Sequence, residues 1–552
     1  MSANDSTSLA NKDSNVVYSY HDKKQIIQNI SSIDNISEHS ETNVFEYDDR
    51  LKRTLHQRHI QIIALVGVFG TGLFLSSGGT LYNVGNVGIL VAYFFVGIVV
   101  STNQVANIEI STFMAVTGGP VRHAEHFVDE AVGFALGWIN VYSNIIPGEL
   151  AATAVVMNYW SDLNSCVWIT IFGLIIIATN SYSVRFYGEV EFVFGILKIC
   201  LVFGLIITGL VINLGGVSGQ ERLGFRYWKQ SPWKTYFADG DLGRFLAFWK
   251  TVSSVVYSFG GVQSLNIFGG ETRHPRRSLY IAAKRLIIRT FSLYMAAIFV
   301  LSLIVSSNDK GIANSTGSST GSPWVIAMKR AGISVLPHIV NAVVLTSAFS
   351  AANLGLVYSS RTLFALAAKK QAPRIFLKTN KHGVPIWGIA FSGLFIPLAY
   401  MSSSETSATV FNWFQNIISG HLLLTWIIIA VNHLAMNRSL KAQGYSRDVL
   451  PYKIKGGVYF SIFSLIFSVI ILLTQGFTNF LKGQFKTSSF VTTYMIIPIF
   501  IILYFGWKFS KKTKLIKPED VDLKSLFDEI ENNPEPPIRK LHGWEYLKII
   551  WA

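Results

Sequence analysis

Twelve apolar runs of roughly bilayer length punctuate this chain, and no soluble fold could bury so many. They fall at 60–79, 87–115, 132–157, 165–182, 190–214, 245–268, 286–307, 335–367, 384–401, 408–435, 457–476 and 488–510. About 20 apolar residues are needed to cross the hydrocarbon core as a helix. In lipid a lone helix is the simplest way to satisfy every backbone group. The expected fold is therefore all-α and membrane-embedded, with about twelve transmembrane helices. The run at 335–367 exceeds one upright crossing, so it is expected to tilt or to project beyond the bilayer.

The charges agree. Only 14% of the 552 residues are Asp, Glu, Lys or Arg, against about a quarter in soluble proteins. The net charge of +15 raises nucleic acid as a partner, but the basic residues sit in short clusters between apolar runs, as in loops beside a membrane. No nucleic-acid partner is expected; the lipid bilayer is. Cys166 and Cys200 lie in separate apolar runs, too few for a disulfide framework or a metal motif. Residues 1–50 are polar, lack the apolar core of a signal peptide, and read as a disordered tail. The reading divides the chain into that tail, a membrane domain at 51–510 and a charged C-terminal tail at 511–552.

Basic residues set the orientation, because Lys and Arg favour the cytoplasmic side. With the N-terminus inside, the inner loops carry Arg122, Arg185, the group Arg273 to Arg285, the group Lys369 to Lys381, and the group Arg438 to Lys455. The outer loop 215–244 is mixed. The sequon Asn314-Ser315-Thr316 falls outside, and both termini are expected inside. The finish Leu541-His542-Gly543-Trp544-Glu545-Tyr546-Leu547 reads as amphipathic; it suits a membrane surface or a solvated tail.

Two glycine clusters interrupt apolar runs. The first run holds Gly67-Val68-Phe69-Gly70-Thr71-Gly72, and the sixth holds Tyr257-Ser258-Phe259-Gly260-Gly261-Val262-Gln263, followed by Gly269-Gly270-Glu271. One such cluster is as readily explained by close helix packing as by a break. Two clusters five helices apart match the broken helices of an inverted five-helix repeat, where freed peptide groups at mid-membrane hold a substrate.

Ionisable residues inside apolar runs are expensive there and mark function. Lys198 stands about two turns inside the fifth run. Snorkelling would bring it only part of the way to water. A desolvated Lys can lose its proton, which is what proton coupling requires. Glu109 and Glu149 are also candidates for carrying a proton, with structural pairing as the competing role. His421, Asn341, Asn353 and Ser350 read as interhelical hydrogen-bonding groups.

Several of these stretches together resemble the fungal amino-acid permeases of the amino acid–polyamine–organocation superfamily. They are Lys52-Arg53-Thr54-Leu55, His59 to Leu65, Gly70 to Phe74, Phe192 to Lys198, Gly224-Phe225-Arg226-Tyr227-Trp228, and Gly270 to Ser278. Leu336 to Ala342, Ser350-Ala351-Ala352-Asn353, Ser360-Arg361-Thr362-Leu363 and Gly383-Val384-Pro385 continue the match, which covers about 50–510 in order.

The resemblance implies a LeuT-type fold: two inverted five-helix repeats plus two further helices. It implies import of amino acids at the plasma membrane, usually with a proton, driven by the proton gradient and without a cofactor or metal. Carried over, Val68, Gly70, Thr71 and Gly72 would hold the substrate carboxylate. Tyr257, Ser258, Phe259, Gly260 and Gln263 would meet the amine and side chain. Lys198 falls where sodium-coupled relatives bind an ion. The expected partners are the amino acid and protons, with trafficking and ubiquitination machinery at the tails.

The sequence departs from the family pattern in places. Gly261-Val262-Gln263 stands where Gly-x-Glu is common, and Ile108-Glu109-Ile110 stands where Gly-Glu-Met is usual. The segments Gly119 to His123 and Pro147-Gly148-Glu149 are unusual, and the end Ile549-Ile550-Trp551-Ala552 has no cysteine for palmitoylation. A neutral residue at 263 leans toward neutral substrates. The alternative function is an amino-acid sensor on a permease scaffold. An enzyme is not expected, since no HExxH, paired-Asp or Ser/His constellation is present.

Overall fold

The computed structural model describes residues 67, 70–116, 118–143, 147–182, 184–262, 274–313 and 322–536. These are helices joined by loops, with no strand among the described residues. Val68, Gln263, the sequon at 314–316, the N-terminal tail and the finish at 541–547 lie outside them.

Among the described residues, eight helices are long and apolar enough to cross a membrane, and a ninth span is reached if the bent pair, Thr487–Tyr494 with Ile496–Lys511, counts as one. The eight are Asn86–Phe113, Ser165–Tyr182, Phe186–Leu214, Pro275–Ile304, Leu336–Ala368, Ile386–Ser403, Ser407–Ala442 and Gly457–Thr474. The first run, described from Gly70 onward, fails that test because it is interrupted, and the sixth because its helix carries Asp241, Arg244 and Lys250. The first passes through a bend at Gly70 into a π-helical turn, Gly72–Ser76, and then Ser77–Val84. The third is described as Glu130–Ser143 and Pro147–Met157, with 144–146 outside the described residues. The sixth, Gly240–Ser258, leaves helical geometry at Phe259. All twelve expected spans thus have a helical counterpart.

Some ends differ from the sequence reading. The seventh span begins at Pro275, not near 286, and its basic first turns continue the helix beyond the apolar stretch. The eighth runs 33 residues, or about 50 Å, longer than the hydrocarbon core. The surface is inverted relative to a soluble protein. Ile171, Leu174, Val193, Ile207, Ile466 and Ile502 face outward, whereas Asn103, Asn107, Glu109, Lys198, His421 and His433 are buried. Outward apolar groups are stable against lipid tails, and inward polar groups hydrogen-bond across helices.

The second span packs on the seventh, tenth and eleventh, and the eighth on the third and fifth. At the end of the bundle that carries the basic loops, the segment after Lys512 folds back onto the helices. Ile516 N–H donates to Val128 O at 2.9 Å. Gln443 Nε2 donates to the carbonyls of Pro518 and Val521 at 3.1 and 2.8 Å. Val521, Leu523 and Leu526 are buried, and the Phe527 ring meets Phe113 and Tyr445. Glu535 accepts from the backbone N–H groups of Arg276 and Arg277 at 3.0 and 2.7 Å, a carboxylate at the positive end of the seventh helix. The charged tail expected from 511 onward is thus docked as far as 536.

Candidate functional site

Two helix interruptions and the third span meet at one point. After the bend at Gly70, Thr71 precedes the π turn, a helix irregularity frequent at functional sites. Pro147 opens the described segment Pro147–Met157 of the third span. Glu149 lies on that segment. Tyr257 and Ser258 close the sixth helix. Beyond them Gly261 takes φ 86°, a conformation open to glycine at little steric cost.

The side chains are joined. Thr71 Oγ1 lies 2.7 Å from Tyr257 Oη and 3.1 Å from Glu149 Oε2, and Tyr257 Oη donates to Glu149 Oε1 at 2.9 Å. Each hydroxyl carries one proton and can also accept, so the three groups form a closed polar triangle. Behind it, Tyr294 Oη donates to the helix-end carbonyl of Ser258 at 2.7 Å, and Tyr93 Oη shares a hydrogen bond with Ser258 Oγ at 3.0 Å. The rings of Tyr93, Phe259 and Tyr294 form an edge-packed cluster. Around Gly70 a Cβ would meet no heavy atom within 4 Å, whereas at Gly72 it would fall 2.6 Å from Ser258 Cα. Gly72 therefore permits close approach of the first and sixth spans, and Gly70 leaves open space. Gly260 lies beside Leu422 of the tenth span.

Lys198 belongs to a second cluster. It is 1% exposed, so it does not snorkel. Its Nζ donates to Ser350 Oγ at 3.0 Å. Ser350 Oγ donates to Glu191 Oε2 at 2.5 Å, and Asn353 Nδ2 donates to Glu191 Oε1 at 3.1 Å. Asn180 of the fourth span donates to Asn353 Oδ1. Glu149 and Glu191 both lie within electrostatic reach of Lys198, which couples the triangle to the second carboxylate. Sequence reasoning missed Glu191. The available signal was its spacing, since residues seven apart share a helix face.

Glu109 lies in neither cluster. It is fully buried and accepts from His433 Nε2 at 2.6 Å, Arg447 Nη2 at 2.5 Å and the Ile454 N–H at 2.6 Å. Ser461 Oγ shares a hydrogen bond with His433 Nδ1 at 2.7 Å. This ties the second, tenth and eleventh spans together, a pairing role apart from Lys198. His421 bonds Asn140 at 2.7 Å. Among the described residues no group of acidic, His and Cys side chains could hold a metal.

The family model described as "Amino acid permease" matches residues 59–518. The dicarboxylic amino acid permease of Saccharomyces cerevisiae is 38% identical over 87% of this chain and 81% of its own length. The proline-specific permease of Emericella nidulans is 34% identical over 91% of this chain and 92% of its own. The lysine-specific permease of Saccharomyces cerevisiae is 34% identical over 92% and 83%. A crystal structure of the Eremococcus coleocola manganese transporter superposes with a TM-score of 0.53 at 11% identity, covering 86% of this chain and 96% of that one; that likeness speaks for the fold alone.

Proposed function

Because the chain belongs to the amino acid permease family, a group of multi-pass membrane transporters and not of enzymes, we propose that it imports α-amino acids by proton symport at the plasma membrane, with both termini in the cytoplasm. The relatives named above carry dicarboxylic, proline and lysine labels. Only the α-carboxylate and the amine nitrogen are common to such substrates, and these are the groups that interrupted helices can hold. The open space at Gly70 and the hydroxyl of Thr71 receive the carboxylate. Tyr257 and the end of the sixth helix receive the amine and side chain. Val68 and Gln263 remain nominated from the sequence.

One observation supports proton coupling over simple facilitated passage: a Lys buried at 1% exposure, with two carboxylates, Glu149 and Glu191, within electrostatic reach. An ammonium in that setting is held only while its partners stay charged. Binding of a zwitterion beside Glu149 perturbs that balance and ties the Lys198 proton to occupancy.

Reconstituted protein in liposomes, supplied with labelled amino acid, tests the reading. Wild type accumulates substrate when the outside is more acidic than the inside. Lys198→Ala binds and exchanges substrate but no longer concentrates it. Gradient-independent flux in wild type removes the symport reading, and binding without any flux makes the protein a sensor.

A further inference from the structure

We propose that Glu191 is a second proton carrier, which takes the Lys198 proton through the Ser350 hydroxyl and passes it to the cytoplasmic end of the bundle. The inference rests on the symport reading above.

The geometry is that of a relay. Glu191 and Lys198 lie two turns apart on one face of the fifth span, Val184–Leu214, about 10 Å along the axis. Glu191 is the nearer to the end of the bundle with the basic loops. Both side chains are buried, while Phe192, Val193 and Ile196 on the opposite face point outward. Ser350 of the eighth span bridges them, accepting from Lys198 at 3.0 Å and donating to Glu191 at 2.5 Å. A hydroxyl can accept one proton while giving up another, which an apolar or purely donating residue at 350 could not do. Asn353 holds the other carboxylate oxygen, and Asn180 in turn holds Asn353.

The transfer balances. A proton leaves Lys198 Nζ for Ser350 Oγ as the Ser350 hydroxyl proton moves to Glu191 Oε2. One N–H bond breaks, one O–H bond forms on Glu191, and the hydroxyl is regenerated. A buried ion pair becomes a buried neutral pair, so the step removes two charges from a dry interior where each is unfavourable. The groups that face Glu191 are Lys198 and Tyr187 from its own helix and Ser350 and Asn353 from the eighth; Arg361, also of the eighth, bears on Tyr187. Tyr187 is buried, one turn further toward the cytoplasmic end. Lys198 can thus discharge inward without bringing its ammonium to water.

Liposomes loaded with a pH-sensitive dye test the relay. Wild type must first show substrate-driven internal acidification; if it does not, the symport reading fails, and with it the premise of the relay. Given that signal, Glu191→Gln keeps substrate exchange within about twofold of wild type but loses substrate-driven acidification by about a hundredfold. Glu191→Asp restores part of it. Ser350→Ala behaves as Glu191→Gln does, whereas Ser350→Thr keeps the hydroxyl and the acidification. Should Glu191→Gln fail to fold, the Ser350 pair gives the answer. Normal acidification in Glu191→Gln or in Ser350→Ala overturns the proposal. So does a parallel loss of exchange and acidification, which is the mark of a merely structural pair.

Discussion

Gly72 and Ser258 touch across the two interrupted spans, and a Cβ on Gly72 would stand 2.6 Å from Ser258 Cα and 2.9 Å from its Oγ. The first obstacle is backbone, which cannot rotate away. Gly72→Ala is expected to destabilise the fold by about 1–3 kcal/mol, as overpacking does, and Gly72→Leu to block substrate binding by wedging the two spans apart. A scintillation-proximity binding assay with a thermal melt of the purified protein checks both. Wild-type affinity and melting temperature in Gly72→Ala would show that this contact yields freely.

Tyr257 offers a milder change. Tyr257→Phe keeps the ring on Phe411, 5.9 Å between centroids, and removes the hydroxyl that joins Thr71 and Glu149. Losing a hydrogen bond to a charged partner weakens binding by about 1.5–3 kcal/mol, more than tenfold in affinity. Competition by unlabelled amino acids measures it, and Thr71→Val is expected to act in the same direction.

Glu109 anchors a different part of the bundle. Glu109→Gln leaves Arg447 and His433 without their carboxylate in a buried site, a change that destabilises by about 3–5 kcal/mol. Gly457→Ala acts at the same place, since its Cβ would fall 2.8 Å from both carboxylate oxygens. Both variants are expected to melt early. If either melts normally yet fails only in proton coupling, Glu109 belongs to the transport machinery.

The docked C-terminal segment answers to pH. His126, on the loop helix Gly119–Phe127, donates from Nε2 to Asp522 O at 3.1 Å. Burial holds its pKa below the ordinary 6.5. A lowered histidine pKa means that the undocked form binds more protons as pH falls, so docking is strong above 6.5 and weakens as pH drops toward the docked value. Asp522 acts in the same direction further down. Burial raises its pKa, but hydrogen bonds from the Ser525 hydroxyl and N–H more than offset this and hold it below 3.8. A spin label on Lys524→Cys should gain mobility between pH 7.5 and 5.5, and His126→Gln should flatten that change. A label equally immobile across the range would mean that His126 plays no part in docking.

The sequence alone determined that this chain crosses a membrane many times and where along the chain its spans lie. Residue chemistry and length settle those matters locally: about twenty apolar residues suffice for a span, and basic clusters mark the ends that leave the bilayer. The glycines at 70, 72, 260 and 261 marked the interruptions for the same reason, since a helix yields where no Cβ hinders it. Lys198 was legible as a cation where none is tolerated idly. Only tertiary structure decided what these residues meet. Glu149 and Glu109 read alike in sequence, each a lone carboxylate in an apolar run, yet one joins Thr71 and Tyr257 while the other binds Arg447 and His433. Glu191 sat near the edge of its run and drew no attention until the eighth span brought Ser350 and Asn353 against it. Partnerships between residues 78 to 345 positions apart depend on how helices pack, and packing is a property of the whole chain that no local stretch encodes.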